Sequence, residues 1–253
     1  MNLKITIASL FLATTSTYAF EGNSNESFYI TSEFIQNQVD QNMSVGKAVK
    51  SVIEHYPLHA SRIVDTSLEL YPEKYKEIVY AAVSAAPSLT KEIVEAAIDK
   101  GVTSCPNIVE AAINAEPSYV DFVVYAAANT TPEELEDIVR VAVVTEPDSA
   151  DRIVQTLVEE HPNEVVDIVK TAVGAVPFVG EYIVDALLAV FPGKAEDVVS
   201  AAVEKSSSKR EYVQKIIESA QNAGLSDSDV SDYALKGGIK ESELAMILKE
   251  INN

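Results

Sequence analysis

From Ala48 to Tyr212 the apolar positions recur with a single period of fifteen residues, eleven times in succession, with no insertion or deletion. Counted from Ala48, the apolar slots of each unit are the first, second, fifth and sixth, with a weaker one at the thirteenth. Those intervals follow one face of an amphipathic helix and not the alternation of a strand, so each unit is expected to be one helix. The second slot is valine in all eleven units: Val49, Val64, Val79, Val94, Val109, Val124, Val139, Val154, Val169, Val184 and Val199. The tenth is proline in nine, at Pro57, Pro72, Pro87, Pro117, Pro132, Pro147, Pro162, Pro177 and Pro192. An interior proline loses a hydrogen bond and clashes with the preceding turn, whereas at the first helical position it costs nothing. The helix is therefore expected to restart at every proline. Thr131-Pro132-Glu133-Glu134 shows the start most clearly, with Thr131 expected as the cap and Glu134 completing a capping box.

One long helix is excluded. At about 100° per residue, fifteen residues overshoot four turns by about 60°, so the apolar stripe would circle the rod and never form a core. Separate helices of about twelve residues, with turns of about three, send the chain back antiparallel and bury a continuous core. The expected fold is all-α: an α-solenoid of short antiparallel helices built from eleven 15-residue tandem repeats, with divergent helical caps. No slot is read as alternating between odd and even units, so the helices are expected to occupy nearly equivalent environments. The pattern resembles the general class of short-helix tandem-repeat proteins and matches neither the tetratricopeptide nor the ankyrin repeat.

The ends differ from the repeats. Residues 1–19 read as a cleavable export signal, with Lys4 before the apolar stretch Ile5 to Ala13 and small residues in Thr17-Tyr18-Ala19. Residues 20–47 read as a polar leader and a capping helix carrying Phe28, Tyr29, Phe34, Ile35 and Val39, with Ser44 placed to cap the next helix. The helical domain is expected over 48–223, its last helix a degenerate twelfth that stops at Gly224. Residues 224–253 hold a small duplication, Gly224 to Val230 against Gly238 to Leu244, and are expected to form a two-helix cap. In the fourth unit Val102 replaces the proline, Gly101 precedes it and Pro106 arrives late, so the turn near Ser104 should differ in shape. In the ninth and tenth units Val176, Phe178, Val179, Val190 and Phe191 put bulky apolar groups at turn slots that are mostly polar elsewhere. They are candidates for partner contact or for burial under the terminal cap.

Charge narrows the partners. Lys+Arg 19 against Asp+Glu 39 gives a net charge of −20, which repels phosphate backbones and favours cationic partners. Nucleic acid is excluded as a partner, and no apolar run reaches the roughly 20 residues of a membrane-spanning helix. The fourteenth slot is acidic at Asp121, Glu136, Asp151, Glu181, Glu196 and Glu211, which on a stack reads as a row: a solvated face, or a site for cations or a basic partner. Cys105 is the single cysteine and falls at a mostly apolar slot, where a buried inert thiol is expected.

No constellation carries recognisable chemistry. His55 and His59 flank Pro57 in a turn and cannot share a helical face as paired zinc ligands do. Ser206 and Lys209 have the spacing of a nucleophile pair, yet helix capping explains the serines. Asp227, Asp229 and Asp232 lack the glycine and glutamate of a calcium loop. The expectation is no enzyme, no cofactor and no metal. The chain reads as a secreted or periplasmic scaffold, structural or for protein interaction, presenting an acidic helical surface, with a protein partner or self-association. The alternatives are a self-assembling subunit of an extracellular matrix or filament, and a cation-binding or enzyme-accessory protein.

Overall fold

The computed structural model describes residues 30–42 and 44–251; the export signal and the aromatic pair Phe28 and Tyr29 lie outside the described residues. Among the described residues fifteen α-helices follow one another: α1 Ser32–Asn42, α2 Val45–His55, α3 Ala60–Leu70, α4 Tyr75–Ala85, α5 Thr90–Asp99, α6 Cys105–Ala115, α7 Val120–Thr130, α8 Leu135–Thr145, α9 Ala150–Glu160, α10 Val165–Ala175, α11 Gly180–Val190, α12 Ala195–Ser206, α13 Arg210–Asn222, α14 Asp227–Lys236 and α15 Glu241–Ile251. The described residues contain no strand.

Eight of the prolines open a three-residue 3-10 turn that runs directly into an α-helix, so the helical run restarts at proline as expected. The turn is made by the residue before. A proline ring disfavours the α conformation in its predecessor, and these residues have φ between −125° at Phe191 and −152° at Glu116, with ψ from 58° at Tyr56 to 86° at Glu116. Each still closes the helix behind it: the Thr131 N–H donates to the Ala127 carbonyl at 2.9 Å, and the Thr131 carbonyl accepts from Glu134 N–H at 3.0 Å. In these units the residue before proline makes the sharp departure from helical geometry, and its backbone groups keep their partners. The capping box expected at Thr131 does not form. Its hydroxyl donates backwards to the Ala127 carbonyl at 3.1 Å, because the 3-10 bond already satisfies the start of the new helix.

All eleven second-slot valines are 0% exposed, and the isoleucines and valines before them are equally buried. Each such side chain contributes about 1.5–3 kcal/mol by leaving water. The helices form two layers. From α2 to α14, even-numbered helices pack on even-numbered ones and odd on odd, more extensively than helices adjacent in sequence do. The polar contacts follow the same rule. Lys76 reaches Glu110, Arg152 reaches Asp121 and Lys215 reaches Glu181, over separations of 31 to 34 residues. Asp121 and Arg152 both lie in first turns, as do Ser61 and Glu92, whose carbonyl accepts from the Ser61 hydroxyl, so helices within a layer run parallel. The sequence period is fifteen, and the structural period is two units.

The fourth unit keeps the register by another route. Helix α5 is one residue shorter than its neighbours, Gly101 adopts φ 65°, and Pro106 is the second residue of α6. Lys100 pins this turn to α3 through Asp65 at 3.1 Å and Glu69 at 2.8 Å.

At the N-terminal end Ser44 caps α2, accepting the Lys47 N–H at 3.2 Å. Glu77, from α4, accepts from Ser44 Oγ and Gly46 N–H, both at 2.9 Å, and so places a carboxylate at the positive end of α2. A Cβ on Gly46 would stand 2.7 Å from Glu77 Cγ, so only glycine admits this approach. The Gly46 and Ser44 hydrogen bonds hold the Glu77 carboxyl below its ordinary value. A depressed folded value means stabilisation present above the unfolded pKa of about 4.3 and lost as pH falls through the folded one. Protection of α1 and α2 against hydrogen exchange, taken relative to the intrinsic rate at each pH, is expected to fall on acidification through this range, and to be low in Glu77→Gln already at neutral pH. Equal protection in wild type and variant at neutral pH would contradict the clamp.

At the other end α13 stops in a Schellman turn, Gly224 at φ 94° with Leu225 N–H reaching the Ala220 carbonyl, and α14 stops the same way at Gly238. The duplicated segments thus share one chain-reversal device. Helix α14 continues the even layer on α12, and α15 packs on α13 and α14.

Candidate interaction surfaces

The acidic row does not run as one line. Consecutive units fall in opposite layers, so Asp121, Asp151, Glu181 and Glu211 lie along the odd layer and Glu136 and Glu196 along the even one. Half of the six hold cations from the neighbouring helix of their own layer: Asp121 with Arg152, Glu181 with Lys215 at 3.3 Å and Glu196 with Lys236 at 2.6 Å. These contacts raise the Lys215 and Lys236 ammonium groups above their ordinary value, the hydrogen bond that each donates to its carboxylate being the main cause. Exposed pairs of this kind contribute little each; their effect is to fix one helix against the next. Calorimetry with millimolar calcium is accordingly expected to show no heat of binding and no shift of melting temperature. A stoichiometric heat would contradict this view of the carboxylates as rungs between helices.

The five apolar turn residues are also divided. Val176, Phe178 and Val179 lie at the start of α11 and Val190 and Phe191 at its end, so they sit on opposite edges of the stack. Val179 is fully buried, and Val176 and Phe191 pack against the core. Phe178 and Val190 remain exposed. Beside Phe178 a recess of about 340 Å³ is bounded by Pro147, Asp148, Ala150, Asp151 and Tyr182. The Tyr182 phenol is raised above its ordinary value, first by its hydrogen bond to Glu181 and then by the charges of Glu181 and Asp148.

A second groove, of about 430 Å³, lies between the starts of α8 and α10. Glu133, Glu134, Glu136, Asp137, Glu164 and Asp167 line it together with His161. Among the described residues no group of three histidine, cysteine or acidic side chains is placed to hold a metal ion. The chain matches no protein-family model, no curated protein and no solved structure. Its role has to be read from these surfaces.

The remaining candidates have local explanations. His55 Nδ1 contacts the Ser51 carbonyl at 2.7 Å within its own helix, while His59 belongs to the following turn. Ser206 is buried with an unpartnered Oγ, and the Lys209 ammonium lies 5.0 Å over the Tyr212 ring instead. The serines expected to cap do not do so: Ser207 donates back to the Glu204 carbonyl, and no side chain caps α13. Asp227 and Asp229 occupy the first turn of α14, where Asp229 N–H bonds Ser226 Oγ at 3.1 Å and Ser226 Oγ donates to the Asp229 carboxylate. Burial pushes the Cys105 thiol up to about 11, with the Thr131 hydrogen bond opposing and Glu134 and Glu133 adding to the rise. At neutral pH it stays an unreactive thiol.

Sequence reasoning overlooked one signal. The fifteenth slot in the even layer is Glu77, Asn107, Asp137, Asp167 and Asp197, whereas in the odd layer it is Arg62, Glu92, Phe122, Arg152, Tyr182 and Tyr212. One layer carries acids and an amide at its helix starts, and the other, Glu92 excepted, carries aromatic and basic groups.

Proposed function

We propose that the chain is an exported, non-enzymatic scaffold that binds other proteins along its acidic, two-layered helical surface. The observation that supports this most is the repetition itself. One buried seam of valines runs through every unit, leaving the outer slots to vary without disturbing the core. Such stacks present extended surfaces on which many weak contacts add up. Export rests on the N-terminal signal pattern, and the preference for basic partners on the charge of −20. Affinity capture from the secreted fraction of the source cells, against a charge-matched acidic helical protein, tests the reading. Proteins enriched on this chain over that control support it; none enriched over the control overturns it. A concentration-dependent rise in sedimentation coefficient in the purified protein would favour a self-assembling subunit instead.

A further inference from the structure

We propose that the groove between Phe178, Tyr182 and the first turn of α9 docks a basic segment of a partner protein, an arginine or lysine side chain lying on the two rings with its charge against Asp148 and Asp151. The inference rests on the scaffold reading and adds the chemistry of the partner.

Phe178 is 46% exposed and Tyr182 is 56% exposed. Neither exposure is needed by the fold, since the adjacent Val179 supplies the buried contact of this turn. At the eleventh slot the earlier turns on the same edge carry Leu58, Ser88, Ser118 and Asp148, so a ring is not a demand of the turn geometry. The Tyr182 ring lines the same recess as Phe178, and the neighbouring Glu181 is paired with Lys215. Across the groove stand Pro147, Ala150 and the two carboxylates. Among the described residues no ion pair engages Asp148 or Asp151, and the nearby Arg152 is taken by Asp121. Two ring faces and two unneutralised carboxylates around one recess of side-chain size attract an organic cation. Hard metal ions prefer six or more oxygen ligands, and here one wall is aromatic. A guanidinium or an alkylammonium on its stem satisfies both walls, the stem covering ring surface while the charge meets the acids.

The test is fluorescence anisotropy with a labelled hexa-arginine peptide at about 0.15 M salt, where long-range attraction is screened. Wild type is expected to bind, and Phe178→Ser with Tyr182→Ser, which leaves the charge unchanged, to bind at least about tenfold more weakly. Glu134→Gln with Asp137→Asn, which removes two carboxylates from the other groove, is expected to weaken binding less than about threefold. Equal weakening in the two double variants, no weakening in the aromatic one, or no binding by wild type overturns the proposal, while the scaffold reading stands or falls on the capture experiment. Should the aromatic variant lose helicity, Asp148→Asn with Asp151→Asn decides: a tenfold loss supports the groove and an unchanged affinity overturns it.

Discussion

Replacing Ile138 with alanine is expected to destabilise the protein by about 2–5 kcal/mol, measured by urea unfolding monitored through helical circular dichroism. Ile138 is among the largest fully buried side chains and sits in α8, near the middle of the stack. Its loss removes apolar burial and leaves a cavity between layers that cannot close without shifting helices fixed by their own neighbours. Because each helix touches only nearby ones, the damage also weakens the coupling between the two halves of the stack. The control lies on the same helix. Val144 is 56% exposed, and Val144→Ala is expected to change stability by no more than about 0.5 kcal/mol. Similar losses in both variants would mean that the apolar pattern does not report burial.

Gly237→Ala is expected to release the C-terminal cap. A Cβ there would stand 2.7 Å from the Ser200 carbonyl oxygen and 2.8 Å from Val203 Cβ, both on α12, so a main-chain atom would have to move. Overpacking of this kind costs about 1–3 kcal/mol, and α14 meets α12 along this line. Limited proteolysis should then cut between α13 and α15 while the repeats stay intact. Gly193→Ala, where a Cβ meets nothing within 4 Å, should leave the cleavage pattern unchanged. A protease-resistant Gly237→Ala variant would show that the cap docks elsewhere.

Most of the architecture could be read from residues. The valine slot named the seam, the prolines named the helix starts, and Gly224 named the stop of the last repeat helix, because each rests on local sterics that tertiary packing does not change. What escaped was the split into layers. Both layers bury the first, second, fifth and sixth slots, so Ile138 in one and Ile153 in the other look alike, and the core carries only a faint thirty-residue period, alanine at the fifth slot of α4, α6, α8, α10 and α12. The clearer trace lay outside it, in Glu77, Asn107, Asp137, Asp167 and Asp197 at a slot where α3, α7 and α11 carry Arg62, Phe122 and Tyr182. The acidic row was misleading for the same reason: recurrence at one slot every fifteen residues places Asp121 and Glu136 in different layers. Of the five apolar turn residues, sequence alone could not separate Val179, which faces the core, from Phe178, which lines a groove.

Cross-linking tests the two-layer stack most directly. In a Cys105→Ala background, cysteines replacing Asp121 and Arg152, whose side chains meet across α7 and α9, should couple rapidly through a short bismaleimide. Cysteines replacing Asp121 and Glu136, the same slot in consecutive units, should couple far more slowly. Equal rates, or faster coupling of consecutive units, would contradict the account.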